Sequence, residues 1–222
     1  MGLPPLAPEA SASANSATSA ISARQELQSI PTNATSRSTG SYELRPAVPS
    51  PPVTRARSDF VPVVGLILGA TFGISGTFVS SDAVRQVFWL IDGLGVIVAT
   101  TLLAVRFLRS GHDTVAAGFL VFALGESLLL SGTAAGLDAS VPSFGAGVAL
   151  WAAGLLLISL PSTLTAWVRG AGVAAAVLFA IVAARIFRGE RLLPTSQPLP
   201  FFAYPLVVLT FFGWIVTIVK GR

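Results

Sequence analysis

The chain of 222 residues contains no cysteine and a single histidine, His112. Disulfides, iron–sulfur clusters, thiolate zinc sites and bis-histidine haem all need ligands that this sequence lacks. Those absences remove most redox and metallohydrolase chemistry, so no metal site, cofactor or catalytic residue is assigned, and His112 reads as a loop residue at a helix end. Charge is scarce as well: 11% of the residues are charged against 53% hydrophobic, and the mean hydropathy is +0.76. Those values lie outside the range of ordinary soluble domains, so water is not the main solvent of this chain.

The net charge of +4 and pI near 10.6 do not point to nucleic acid. The basic residues form no patch with interleaved aromatics. They flank apolar segments instead, where Arg and Lys act as topological anchors.

Residues 1–58 hold 11 Ser, 10 Ala, 8 Pro and 5 Thr with few large apolar groups. Such a segment cannot bury enough surface to offset the entropy of ordering, and a disordered N-terminal tail is expected. It has no basic segment leading into an apolar core, so a secretory signal is not expected, and Asn33-Ala34-Thr35 is a glycosylation sequon at chance level.

Beyond the tail, uncharged stretches run through residues 60–81, 139–168, 170–184 and 192–219. About 20 helical residues cross a hydrocarbon core of about 30 Å. Six spans are expected over residues 60–80, 85–107, 114–136, 143–160, 164–187 and 200–219. The expected fold is therefore an all-α integral membrane protein, a six-helix transmembrane bundle over residues 59–222 with the lipid bilayer as its main partner. Small residues recur at every fourth position in three spans: Gly65, Gly69, Gly73 and Thr77; Gly145, Ala149 and Ala153; Gly172, Ala176, Ala180 and Ala184. Such stripes allow helices to approach closely, within the bundle or against other membrane subunits.

With the tail inside, Arg55, Arg57, Arg106, Arg109, Arg169, Lys220 and Arg222 fall on the cytoplasmic side, and Arg85, Arg185, Arg188 and Arg191 on the other. That excess predicts both termini in the cytoplasm, with a bacterial inner membrane as the expected location. The dissenting charges gather in the loop around 185–191, which would bind acidic groups such as lipid headgroups or mark a misplaced span.

Two carboxylates break the uncharged interior, Asp92 in the second span and Glu126 near the middle of the third. An ionised carboxylate at mid-membrane is unfavourable by about 2.5–3.5 kcal/mol even on lenient insertion scales. The spacing puts Asp92 about 9 Å below the outer surface and Glu126 about 16 Å above the inner one, so their depths differ by only about 6 Å. They can share a polar pocket, and in low dielectric two carboxyls that close do not both ionise, which makes a proton or cation site. The competing reading is interhelical glue, with each acid hydrogen-bonded to Ser75, Thr100, Thr101, Ser127 or Ser131, or paired with Arg85 or Arg106.

Two catalytic patterns are matched only in part. Gly73-Ile74-Ser75-Gly76 resembles the serine motif of rhomboid proteases, whose serine needs a histidine on a later helix; the only histidine here is expected in a turn. Asp92-Gly93-Leu94-Gly95 resembles the glycine-flanked aspartate of presenilin-type proteases, which work with a second intramembrane aspartate that this chain lacks. The chain is not expected to be an enzyme. Its expected role is an accessory or interaction subunit of a membrane complex, held through its glycine-rich faces, with a small transporter or ion-coupled carrier using Asp92 and Glu126 as the alternative.

Overall fold

A computed structural model describes residues 60–221. The expected tail over residues 1–58, with its sequon, lies outside the described residues. Those described form six α helices and no strand: α1 (Phe60–Phe78), α2 (Asp82–Arg109), α3 (Asp113–Thr133), α4 (Val141–Ser159), α5 (Ala166–Phe187) and, after a 3-10 turn at Phe201–Ala203, α6 (Tyr204–Lys220). Each apolar segment, with the short turn counted into the last, is long and apolar enough to cross a membrane, as in a multi-pass membrane protein. Helix is the only such solution for a single segment in lipid, because it satisfies every backbone polar group internally.

The chain runs up and down, each helix packing against the next, and α6 returns to α1. One end of the bundle carries the α2–α3 and α4–α5 turns and the C-terminus of α6. It is called here the first end; the second carries the loops at 79–81, 134–140 and 188–203. Gly111, at φ +74°, lets the α2–α3 turn close in three residues. Gly136, at φ +91°, lies in the loop after α3, which stops at Thr133 instead of running to 136.

Glycine sets the tightest contacts. On α3, Gly118, Gly125 and Gly132 recur at every seventh residue, and Gly147 and Gly154 of α4 keep the same spacing. A Cβ added at Gly118 would lie 2.9 Å from the carbonyl oxygen of Gly154, and one at Gly125 would lie 2.7 Å from that of Gly147. The two backbones therefore touch over about two turns. Gly65 of α1 likewise lies against the backbone of Gly95 on α2. Of the fourfold stripe on α5, Gly172 and Ala176 are buried while Ala180 and Ala184 are exposed. On α4 the stripe turns away from α3: Gly145 meets Ile186 of α5, and Ala153 is exposed.

The outward surface is greasy. Val87, Leu90, Leu94, Val98, Leu102 and Val105 are all exposed along one side of α2, at helical spacing. An uninterrupted apolar side of this kind suits lipid rather than water.

Ends are finished by charge. Arg169, in the first turn of α5, donates from Nε to the carbonyl oxygen of Ser159 at 2.9 Å and from Nη2 to that of Leu160 at 2.9 Å, closing the C-terminus of α4. At the second end Arg85 pairs with Asp82 at 2.5 Å, Arg185 with Glu190 at 2.7 Å, and Arg191 with Asp138 at 3.0 Å. The Arg185 guanidinium holds the Glu190 carboxyl below its usual range. Three of the four basic residues that dissent from the charge asymmetry thus meet a carboxylate of the chain itself.

Candidate functional site

Asp92 and Glu126 line one cavity, set between α1, α2, α3, α4 and α6 in the half of the bundle nearer the second end. Its volume is about 80 Å³. At about 10–15 Å³ for a single water, that admits several waters or a small cation.

The two acids reach the cavity for different local reasons. Asp92 projects from α2 toward α1 at a level where α1 has no side chains to oppose it. A Cβ added at Gly69 would lie 3.2 Å from Asp92 Oδ1, and one at Gly73 would lie 2.7 Å from Oδ2. Two glycines one turn apart thus hollow out the space that the carboxylate fills. Glu126 projects from α3 toward α2 and is 4% exposed. A Cβ at Gly93, the neighbour of Asp92, would lie 3.2 Å from Glu126 Oε1, so the two acids occupy nearly the same level.

Glu126 Oε2 is buried and has no hydrogen-bond partner among the described residues, and neither does Trp151 Nε1. The Trp151 indole N–H faces the Glu126 carboxyl but stops short of hydrogen-bond geometry. A buried donor and a buried acceptor left apart are unfavourable by about 1–3 kcal/mol per group, more for a charged one, unless the two close on each other or a ligand or water completes the set.

Three of the five hydroxyls that sequence offered as partners turn elsewhere. Thr100 donates to the Val96 carbonyl at 2.7 Å, Ser127 to Ala123 at 2.9 Å and Ser131 to Leu128 at 3.0 Å, each back onto its own helix. Arg85 sits with Asp82 and the Val79 carbonyl at the start of α2. Arg106 lies 14 residues from Asp92, about 21 Å along α2, in a different cavity. Ser75 belongs to the last turn of α1 and His112 to the α2–α3 turn, at opposite ends of the bundle, so no serine–histidine pair forms.

That second cavity, of about 200 Å³, opens in the half nearer the first end and is lined in part by Leu103, Arg106, His112, Phe119, Trp214 and Thr217. Between the cavities lies a layer of aromatic rings. Trp214 meets Phe119 at 4.8 Å, Phe211 at 5.3 Å and Phe122 at 5.8 Å between centroids, and Phe122 stacks on Trp151 at 5.0 Å. Phe211 lines the acidic cavity and Trp214 the other. Three residues of α6, about 4.5 Å of axial rise, separate them.

Sequence reasoning passed over Trp151, Trp89, Phe144 and Phe211, which line the acidic cavity, and took Tyr204, which lines it too, for an anchor at the membrane interface. Their signal in the sequence is that of ordinary core aromatics. Gly69 and Gly73 were visible as a packing stripe, but nothing in their spacing disclosed that they face an acid.

Compared with known proteins, the chain matches no family model, no curated protein and no solved structure.

Proposed function

We propose that this protein is a small membrane carrier whose site is the Asp92–Glu126 cavity, where a cation or proton is held on its way across the bilayer. One observation carries the reading: two carboxylates share a cavity, and one of them, Glu126, keeps a buried oxygen without a hydrogen-bond partner among the described residues. A carboxyl used as glue would be saturated by neighbouring hydroxyls, and Thr100, Ser127 and Ser131 bond their own helices instead. A positive ligand between Asp92 and Glu126 would neutralise the pair and offset their desolvation. The two cavities, one toward each end, supply an entrance and an exit, and the Phe122–Phe211–Trp214 layer is what a passing ion must displace. Neither resembled catalytic pattern is completed, which supports binding and transfer over catalysis.

The accessory-subunit reading draws on glycine faces that would receive partner helices. Gly65, Gly118, Gly125, Gly147 and Gly154 are already closed against helices of the same chain, which leaves partners the exposed Leu, Val and Ile side chains with Ala153, Gly170, Ala180 and Ala184 among them. That favours the carrier. In a bacterial inner membrane the first end, bearing Arg106, Arg109, Arg169 and Lys220, would face the cytoplasm together with both termini.

The test is to reconstitute the full chain in vesicles and record proton and cation movement under an imposed gradient. The carrier reading expects flux in the native protein and its loss in Asp92→Asn and Glu126→Gln. Equal flux in native and neutralised proteins would overturn it.

A further inference from the structure

We infer that the ligand of the Asp92–Glu126 cavity is a small alkylammonium cation. This rests on the carrier reading and goes beyond it by naming the class of cation. The donor set decides. A bare metal cation exchanges its hydration shell for about six oxygens, often including backbone carbonyls and several carboxylates. Among the described residues no three Asp, Glu, His or Cys side chains converge. The helices that contribute Gly73, Asp92, Glu126 and Trp151 are continuous there, so their carbonyls remain in the helical ladder. The hydroxyls at the rim donate to their own backbone, Thr77 to Ile74 at 2.7 Å, Thr133 to Leu129 at 3.0 Å and Ser140 to Leu137 at 2.7 Å, and offer a cation only the lone pairs of a neutral oxygen, as does the Pro194 carbonyl, which accepts from the Tyr204 hydroxyl at 3.0 Å. Two carboxylates are therefore the strong oxygen ligands on offer.

The rest of the lining is aromatic and aliphatic, with Trp89, Phe144, Trp151, Tyr204 and Phe211 all contributing. Rings of this kind attract a cation through the quadrupole of the π face and recognise ammonium groups whose charge is spread over a hydrocarbon shell; one face of Trp89 meets the Arg85 guanidinium at 5.9 Å and one face of Trp151 stacks on Phe122, which leaves each a second face. Such a cation needs no oxygen cage. Its charge is matched by Asp92 and Glu126, and its alkyl groups lie against surface that would hydrate a metal ion poorly.

Full-length protein in vesicles, offered radiolabelled tetramethylammonium, tests this directly, because that probe keeps its charge at every pH and crosses lipid slowly. Saturable uptake is expected, resistant to a large excess of Na⁺ or K⁺ and abolished in Glu126→Gln. Trp89→Leu is expected to weaken it about 2- to 30-fold, and Trp151→Leu by a similar factor. The two variants guard against one of them failing to fold, which monodispersity in detergent reports. Equal competition by Na⁺ or K⁺ would overturn the ammonium assignment, as would unchanged affinity in both tryptophan variants. Proton flux dependent on Glu126 without tetramethylammonium uptake would also overturn it, while the carrier reading stands. If nothing that depends on Glu126 moves at all, both fall.

Discussion

Gly73 of α1 faces Asp92 of α2 so closely that a single added methyl group would come within 2.7 Å of the carboxylate oxygen Oδ2. The acid is thus housed by the absence of a side chain on the neighbouring helix. Gly73→Ala is expected to push Asp92 from its place, lowering stability by about 1–3 kcal/mol, as overpacking does, and lowering cation flux with it. Gly170→Ala supplies the control, because nothing lies within 4 Å of its added Cβ. That change is expected to be neutral or to stabilise by up to about 1 kcal/mol. Thermal denaturation in detergent and vesicle flux measure both.

The α3–α4 seam should be the least tolerant part of the bundle. At Gly154 an added Cβ would lie 2.8 Å from the Gly118 carbonyl oxygen, and backbone on both sides leaves nothing flexible to give way. Gly154→Val is expected to destabilise by about 3 kcal/mol or more. A melting temperature equal to that of the native protein would contradict the backbone contact.

Neutralising the acids separates function from stability. Glu126 is 4% exposed with an oxygen that finds no hydrogen-bond partner among the described residues. Glu126→Gln is isosteric and replaces a buried ionisable group with a neutral amide, so its thermal stability is expected to match or exceed the native value while flux falls at least about tenfold. If the carboxyl were interhelical glue, the same change would lower stability and leave any transport intact.

The aromatic layer predicts a leak. Trp214 is 2% exposed and touches Phe119, Phe122 and Phe211. Trp214→Ala would open space between the two cavities, at a loss of stability of about 3–5 kcal/mol. Passive proton entry into vesicles is expected to rise; Trp214→Leu, which keeps more of the volume, is expected to leak less.

Six helices were legible because length, hydropathy and the absence of charge are properties of segments, and lipid leaves a lone apolar segment no alternative to helix. The meeting of Asp92 and Glu126 in one cavity followed from counting residues along an antiparallel hairpin. The packing faces were harder. A step of four residues turns a helix about 40° past a full number of turns, so the α5 stripe that begins buried at Gly172 and Ala176 has rotated outward by Ala180. A step of seven falls only about 20° short, so Gly118, Gly125 and Gly132 stay on one face. Aromatic residues stayed silent for another reason. Trp151 and Phe211 are spaced like any core residue, and only tertiary structure shows that one faces a carboxylate and the other closes a cavity. The basic cluster near 185–191 could not be explained from sequence because Arg191 finds Asp138 across a different loop.

The account rests on Glu126 being the membrane-embedded cation site. Carbodiimide labelling of the reconstituted protein, followed by mass measurement of the peptide that carries Glu126, reads this most directly. Modification at Glu126, slowed by tetramethylammonium and by Asp92→Asn, is the expected result. Modification at a rate that no cation alters would contradict it.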